Sequence, residues 1–442
     1  MWSVRLRGSS AHTRSPLFGP FFRRRGNRVV RGVAPGLGSA NLRRAHPIRM
    51  RVNDAPQDQL YAAVAREILP RLEALAQCRS TAEMEAHPAY RAIAPVVAGS
   101  LATPHIADFR HQEAPPRSRY RLLAWNIERG VQFEAQLEAF RSHPYLKTCD
   151  VLLITEADAG MARSGNRMVA ETLARELGMA QVFAPCYIAL GKGSGVERHV
   201  EGDNTFGLHG NALLSRYPIR DIRLIPLDNG VDKMAHREKR LGRQAAVAAR
   251  IDFPNLSLNA VSVHLDAQST QRHRREQMRS VLDALPSGLP AILGGDWNTS
   301  TYDSSHAFRA ILGFWLRVMM GVDHVIRNHY LHPERRFERG LFQLLGDRGF
   351  EYDRSNRMGE HTICYDVCDP RATGNLREWV PEWCFAFIRW ALRKHEGRCP
   401  MKLDWFATRG LRVENPVVIH DLREGRAAPM SDHDAIGVDI VV

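Results

Sequence analysis

Asp296 and Asn298 stand two positions apart in LPAILGGDWNTS, where an apolar run climbs to two glycines and stops on a carboxylate and a carboxamide. Alone, such a cluster reads as a turn, because Gly, Asp and Asn are turn residues. It is one of a series. LLAWNIERG ends on Asn126 and Glu128, LLITEADAG on Glu156, and VSVHLDAQ on His264. KLDWFATRG carries Asp404 early in its apolar run, and PMSDHDAIGV presents Asp432 and His433 just before the last one. Taken singly, each residue has an ordinary explanation as surface, core or turn. Six endings built only from acid, amide and imidazole imply strands that converge their ends on one polar cleft.

These residue types suit hydrolysis of a phosphate ester. Glu128, Glu156 and Asp432 are hard oxygen donors, fit for Mg2+ or Mn2+ rather than zinc. A cation bound there polarises a phosphoryl oxygen and steadies the leaving oxygen. Asn126 and Asn298 can donate to phosphoryl oxygens without adding negative charge. Asp404 beside His433 would fix the imidazole tautomer and help it take a proton from water. His264 offers a second imidazole to move a proton on the other side of the phosphate.

The elements that must position these groups are short and apolar. From Tyr120 onward YRLLAWN, DVLLITE, NALLS, AAVAARIDF, LSLNAVSVHL, LPAILGGD, LDWFAT and AIGVDIVV recur between turn-rich borders, the signature of buried strands. GNRMVAETLARELGM (165–179) and STQRHRREQMRSVLDALP (269–286) carry helical spacing. Strands mixed with helices predict an α/β or α+β fold. Upstream, Leu60, Val64, Ile68, Leu72 and Leu75 recur at three-to-four spacing and predict an amphipathic helix, with Pro70 as a kink or boundary. Residues 300–400 break the strand rhythm with two aromatic and Met-rich helical stretches. A substrate-facing or membrane-facing cap would look like this; so would helices packed on the core. The expected organisation is a disordered Arg-rich arm (1–49), a helical N-terminal extension (50–118) and a catalytic domain (119–442) with an insertion at about 300–400.

The formal charge of +13 suggests a nucleic-acid partner until it is located. Residues 1–49 hold eleven arginines and no acid, and subtracting them leaves +2 for residues 50–442. The arm could bind polyanions or act as a transit-like segment; alternatively Met50 is the true start. Seven irregularly spaced cysteines argue against a disulfide framework and for free thiols in a reducing, cytoplasmic compartment. No run of about 18 apolar residues is present, so no membrane-spanning helix is expected.

The ordered motifs WNIE, ITEAD, HGNALLSRYPI, SVHLD, GGDWN, LDWFA and SDHDAI resemble the endonuclease/exonuclease/phosphatase superfamily. The resemblance spans residues 120–442. It implies a four-layer α/β/β/α sandwich of two mixed sheets with a divalent-metal cleft at one end. Carried over by position, it implies a metal-side group of Asn126, Glu128, Glu156 and Asp432. Asp296 and Asn298 resemble the pair that orients water and phosphate, and His433 with Asp404 the terminal acid–base pair. His264 matches members with histidine at this point, and Asn211 is expected to line the cleft.

Two hydrolase readings follow. One is a phosphodiesterase or phosphatase acting on a small or lipid-linked phosphoester, favoured by the near-neutral body. The other is a nuclease gripping phosphates through HREKRLGR (236–243) and RHRRE (272–276). A non-catalytic binding protein on the same fold would show a lost site position, and none is lost. No obligate protein partner is evident.

Overall fold

The strand Arg119–Arg129 shows how the sequence builds the layers. Side chains alternate across a strand. Leu123, Trp125 and Ile127 enter one apolar cluster, while Tyr120, Leu122 and Ala124 enter another. A strand buried on both faces reads as a continuous apolar run, which is why the period-two pattern is hidden in the sequence.

The computed structural model describes residues 48–50, 61–112, 114–236, 238–299, 307–367, 382–426 and 428–442. Residues 1–47 of the arm expected at 1–49, and the N-terminal part of the predicted helix at 58–78, lie outside the described residues; Ile48 and Arg49, at the end of that arm, are in a strand rather than disordered. Six strands form one mixed sheet in the order Ile48–Met50, Ile219–Pro226, Ala245–Phe253, Leu256–Ser262, Ala291–Asp296, Asp404–Arg409. The second, eight-stranded sheet runs Arg412–Ile419, Ala435–Val441, Arg119–Arg129, Val151–Ala159, Leu208–Ser215, Ala180–Ala189, His105–Asp108, with Arg240–Gly242 pairing Ala180–Ala189. Each sheet has one parallel pair, Leu256–Ser262 with Ala291–Asp296 and Arg119–Arg129 with Val151–Ala159.

The sheets face one another across a core that includes Leu122, Leu153, Val247, Ile292, Phe406 and Val438. Helices Phe133–Ser142 and Val169–Leu177 cover the outer face of the eight-stranded sheet. Helices Gln271–Ala284 and Arg339–Asp347 cover that of the other, through Met278, Val281, Leu341 and Leu345. This is the expected four-layer sandwich.

The N-terminal region is more integrated than the sequence suggests. Ile48–Met50 pairs with the edge strand Ile219–Pro226, and His105–Asp108 extends the other sheet. Val64, Ile68, Leu72 and Leu75 pack into the same cluster as the helix Phe133–Ser142. Pro70 does perturb its helix: Val64–Ile68 is wound as a π turn and Leu69–Arg71 as a 3-10 turn before α geometry resumes. Proline lacks the N–H an α-helix needs there.

Within 300–400 the helix Arg339–Asp347 belongs to the sandwich core. A two-stranded sheet, Ile363–Asp366 with Arg398–Met401, leads back to Asp404. The helices Ala307–Met320 and Glu382–Ala391 meet through the rings of Trp315 and Phe387, 5.2 Å apart. They leave Leu312, Leu316, Met319, Phe387 and Trp390 exposed, so these apolar side chains are not all absorbed into the core. Among the described residues no helix is long and apolar enough to cross a membrane.

Candidate active site

The candidate residues come together at one end of the sandwich, and the backbone is bent to bring them there. Glu128, Glu156 and Asn298 have φ of 46°, 56° and 48°. Such left-handed conformations are unusual outside glycine and concentrate at functional sites. Register shifts fall between Asn126 and Arg129 and between Ile154 and Ala157, so both strands bulge at their ends. Gly295 answers why the GGD motif needs glycine. Its φ is 135°, and a Cβ there would lie 2.3 Å from the Val263 carbonyl oxygen.

Asn126 and Asp296 form the hub. The Asn126 Nδ2 donates to Glu156 Oε1 at 3.1 Å and to Asp296 Oδ2 at 3.2 Å. Its Oδ1 accepts from the Glu128 N–H at 3.1 Å. Asn126 thus ties together, through one amide, the strands of both sheets that carry the candidate residues. Asn298 donates its backbone N–H to Asp296 Oδ1 at 2.8 Å, and its Nδ2 to Leu265 O and to Asp296 Oδ2. Both amide hydrogens of Asn126 and of Asn298 are therefore occupied, so these residues orient carboxylates rather than offering free donors to a phosphate.

Asp404 lies directly across the ladder from Asp296. His433 sits between them, with Nδ1 2.8 Å from Asp404 Oδ2 and Nε2 3.7 Å from Asp296 Oδ2. His264 approaches Asp296 to 3.5 Å and Glu156 to 3.9 Å. Asp432 donates its N–H to Glu128 Oε2 at 3.2 Å. The hydroxyl of Ser431 binds the Asn126 carbonyl at 2.6 Å, pinning this loop to the hub.

The electrostatics divide the carboxylates. Desolvation, reinforced by Asp432 and only partly opposed by Arg129, pushes Glu128 up to about 8. Asp432 is exposed as a residue, yet desolvation of its carboxyl and the charges of Glu156 and Asp296 raise it against the pull of His433. Desolvation would also raise Glu156, but Arg129, His264 and His209 together hold it well below the usual carboxylate range. Desolvation would lower His433; Asp404, Asp296 and Asp432 outweigh it and hold the imidazole well above its ordinary value. Glu128 and Asp432 are thus both shifted up by burial and by the acids crowded around them. An acidic set of this kind fits a hard divalent ion. Glu156, His264 and Asp296 also bring ligand atoms within 4.8 Å of one another. His264 Nδ1 and Asp404 Oδ1 are buried without a hydrogen-bond partner among the described residues, leaving capacity for a ligand.

Asn211 was expected at the cleft surface. It is 1% exposed. Its Nδ2 donates to Ala245 O at 2.8 Å, and its Oδ1 accepts from the Glu156 N–H at 3.4 Å. It supports the strained Glu156 backbone from behind. The ion network beside Glu156 leaves no mark in the sequence pattern. Arg163 holds Asp158 through two hydrogen bonds of 2.8 and 3.0 Å, and reaches Glu238 and Glu197 at 3.0 and 3.2 Å. Glu197 also binds Arg129, whose Nε lies 3.8 Å from Glu156. Arg129 and Asp158 lie inside the motifs quoted above, but nothing in their spacing marks their partners at 197 and 238.

The chain belongs to the endonuclease/exonuclease/phosphatase family, whose profile matches residues 123–433. The family comprises phosphoester hydrolases and nucleases, generally acting on phosphodiester bonds. The uncharacterized protein YbhP of Escherichia coli strain K12 is 29% identical over 138 residues, 30% of this chain and 46% of that protein. The chain thus matches about half the length of that relative. Among solved structures, an endonuclease/exonuclease/phosphatase from Beutenbergia cavernae aligns with 16% identity and a TM-score of 0.44, covering 74% of this chain and 72% of that one. The human Nocturnin catalytic domain with bound sulfate aligns with 15% identity and a TM-score of 0.38, covering 76% and 96%.

Proposed function

We propose that the protein is a divalent-metal-dependent phosphoester hydrolase acting on a small or lipid-linked phosphoester. The observation that carries this reading is the convergence of Glu128, Glu156 and Asp432 beside the His433–Asp404 pair and Asp296. Glu128, Glu156, Asp432 and the Asn126 oxygen would hold Mg2+ or Mn2+. The ion, when bound, supplies Lewis-acid stabilisation of phosphoryl charge.

The chain's own groups divide the remaining work. Asp296, fixed by Asn298 and Asn126, receives the proton of the attacking water as its oxygen forms the new bond to phosphorus. The bond from phosphorus to the leaving oxygen breaks, and His264 returns a proton to that oxygen. The sequence alone assigns His433 the role of base. The carboxylates around it favour the imidazolium instead, so here it neutralises charge on a phosphoryl oxygen while Asp404 holds its ring.

The nuclease alternative receives less support from the basic stretches. Arg240 pairs with Glu238, Lys239 donates to the Ala76 and Cys78 carbonyls, and Arg274 is buried against Glu338. Those cations serve the fold. The exposed apolar side chains of Ala307–Met320 and Glu382–Ala391 favour a lipid-linked substrate.

The test is turnover of a chromogenic phosphodiester against Mg2+ or Mn2+ concentration for wild type and Glu156→Gln. The variant should need more than tenfold more metal for half-maximal rate. Wild-type rates at limiting metal would refute the assignment. Parallel assays with plasmid, single-stranded oligonucleotide and phospholipid vesicles identify the substrate class.

A further inference from the structure

A second group of metal-ligating side chains lies away from the proposed hydrolytic centre. His361 Nε2 is 3.3 Å from Glu424 Oε1, and His420 Nε2 is 3.1 Å from Glu360 Oε1. The two imidazoles stack with centroids 4.6 Å apart. Ligand atoms of His361, His420 and Glu424 all lie within 4.8 Å of one another. Glu360 and His361 precede the strand Ile363–Asp366, whereas His420 and Glu424 follow the strand Arg412–Ile419.

We propose that His361, His420, Glu424 and Glu360 form a zinc-binding site that clips the 300–400 region to the C-terminal part of the sandwich. Two imidazoles and two carboxylates make the N2O2 donor set that Zn2+ accepts in tetrahedral geometry. With ligands at about 2.0–2.2 Å, tetrahedral donors stand about 3.3 Å apart. The His420–Glu360 and His361–Glu424 separations of 3.1 and 3.3 Å already match that edge. Small side-chain rotations would bring the two pairs around one ion.

An orienting partner stands behind the nearer imidazole. His420 Nδ1 is 2.9 Å from Asp434 Oδ2, and Asp434 is fully buried. Arg423 clamps the same carboxylate through Nε at 2.9 Å and Nη2 at 2.7 Å. A carboxylate on the distal nitrogen fixes the tautomer that leaves Nε2 free to ligate, and metal-bound histidines almost always have such a partner. Glu360 is itself steadied by Arg357 at 3.2 Å. The competing arrangement is a metal-free network in which a protonated His420 bridges Asp434 and Glu360.

This inference is independent of the hydrolytic reading, and its test does not use activity. Full-length protein is stripped of metal, incubated with Zn2+ alone, desalted and assayed for zinc. To keep the two centres apart, the assay is run in the Glu156→Gln background. The expected result is one equivalent of zinc retained in that background and less than 0.2 equivalent after adding His361→Ala or Glu424→Gln. Co2+ substitution should give visible absorption of tetrahedral intensity, lost in the same variants. Glu424 is exposed, so its substitution tests the site where a histidine variant fails to fold. Zinc below 0.2 equivalent in the Glu156→Gln protein, or full zinc in Glu424→Gln with an unchanged Co2+ spectrum, would overturn the proposal.

Discussion

Replacing Arg163 by Met tests whether the ion network beside Glu156 holds the site together. Arg163 is 1% exposed at its side chain, and Asp158 is fully buried. The substitution removes both hydrogen bonds to Asp158 and the contacts to Glu197 and Glu238. It leaves one fully buried carboxylate, and two nearly buried ones at 14% and 11% side-chain exposure, short of a cation. Breaking a buried pair from one side costs about 3–5 kcal/mol, a large fraction of the roughly 5–15 kcal/mol that stabilises a folded domain. Asp158 keeps His209 Nδ1 at 2.9 Å, and the other two carboxylates keep Arg129 and Arg240 as partners, so the expected loss is at the lower end, about 3–4 kcal/mol. Urea unfolding followed by tryptophan fluorescence measures it. Asp158 titrates below the usual carboxylate range because Arg163 and His209 outweigh its desolvation. Its contribution is therefore present above the unfolded carboxylate value of about 3.9 and is lost as pH falls through the lower folded value. The gap between wild type and variant should be full at neutral pH and narrow in acid. Adding Asp158→Asn should recover part of the loss, because it removes the stranded charge. A deficit under about 1 kcal/mol at neutral pH, or no recovery in the double variant, would refute the reasoning.

Two further outcomes bear on function. Asp404→Asn preserves shape but removes the charge that orients His433; kcat for a chromogenic diester should fall by about 10²–10³-fold with little change in KM, and a loss under threefold would remove the pair from the mechanism. Leu316→Ser with Trp390→Ser should weaken cleavage of a vesicle-borne phosphoester while a soluble diester is still cleaved at near wild-type rate. Equal loss on both substrates with a lower melting temperature would make those side chains structural.

The strand ends and the sandwich were legible because apolar runs bounded by turn residues survive in one dimension. WNIE, ITEAD, GGDWN and SDHDAI each keep their chemistry within a few residues, so Asn126, Glu156, Asp296 and His433 could be named before any contact was known. The roles of the amides were not legible. An amide at a strand end can face substrate or a neighbouring carboxylate, and only the register of Asp296 against Asp404 and the bulges at Glu128 and Glu156 decide between them. The same holds for Asn211, whose motif pointed to the cleft while the packing of Leu208–Ser215 turned it onto the Glu156 backbone.

Composition placed the excess positive charge in the first 49 residues, a property of the chain that folding cannot alter. Whether a given Arg or Lys meets solvent, a carbonyl or a carboxylate depends on partners far along the chain. Arg274 finds Glu338, and Arg163 finds Glu197 and Glu238, across loops with no fixed length. His361 and His420 are likewise distant in sequence and stacked in space. Periodicity records which face of an element is buried; it carries no information about which buried faces meet. That pairing is set by sheet order and loop path, so the candidate active-site residues were determined by the sequence, and their hydrogen-bond partners, charge states and the second ligand cluster by the tertiary structure.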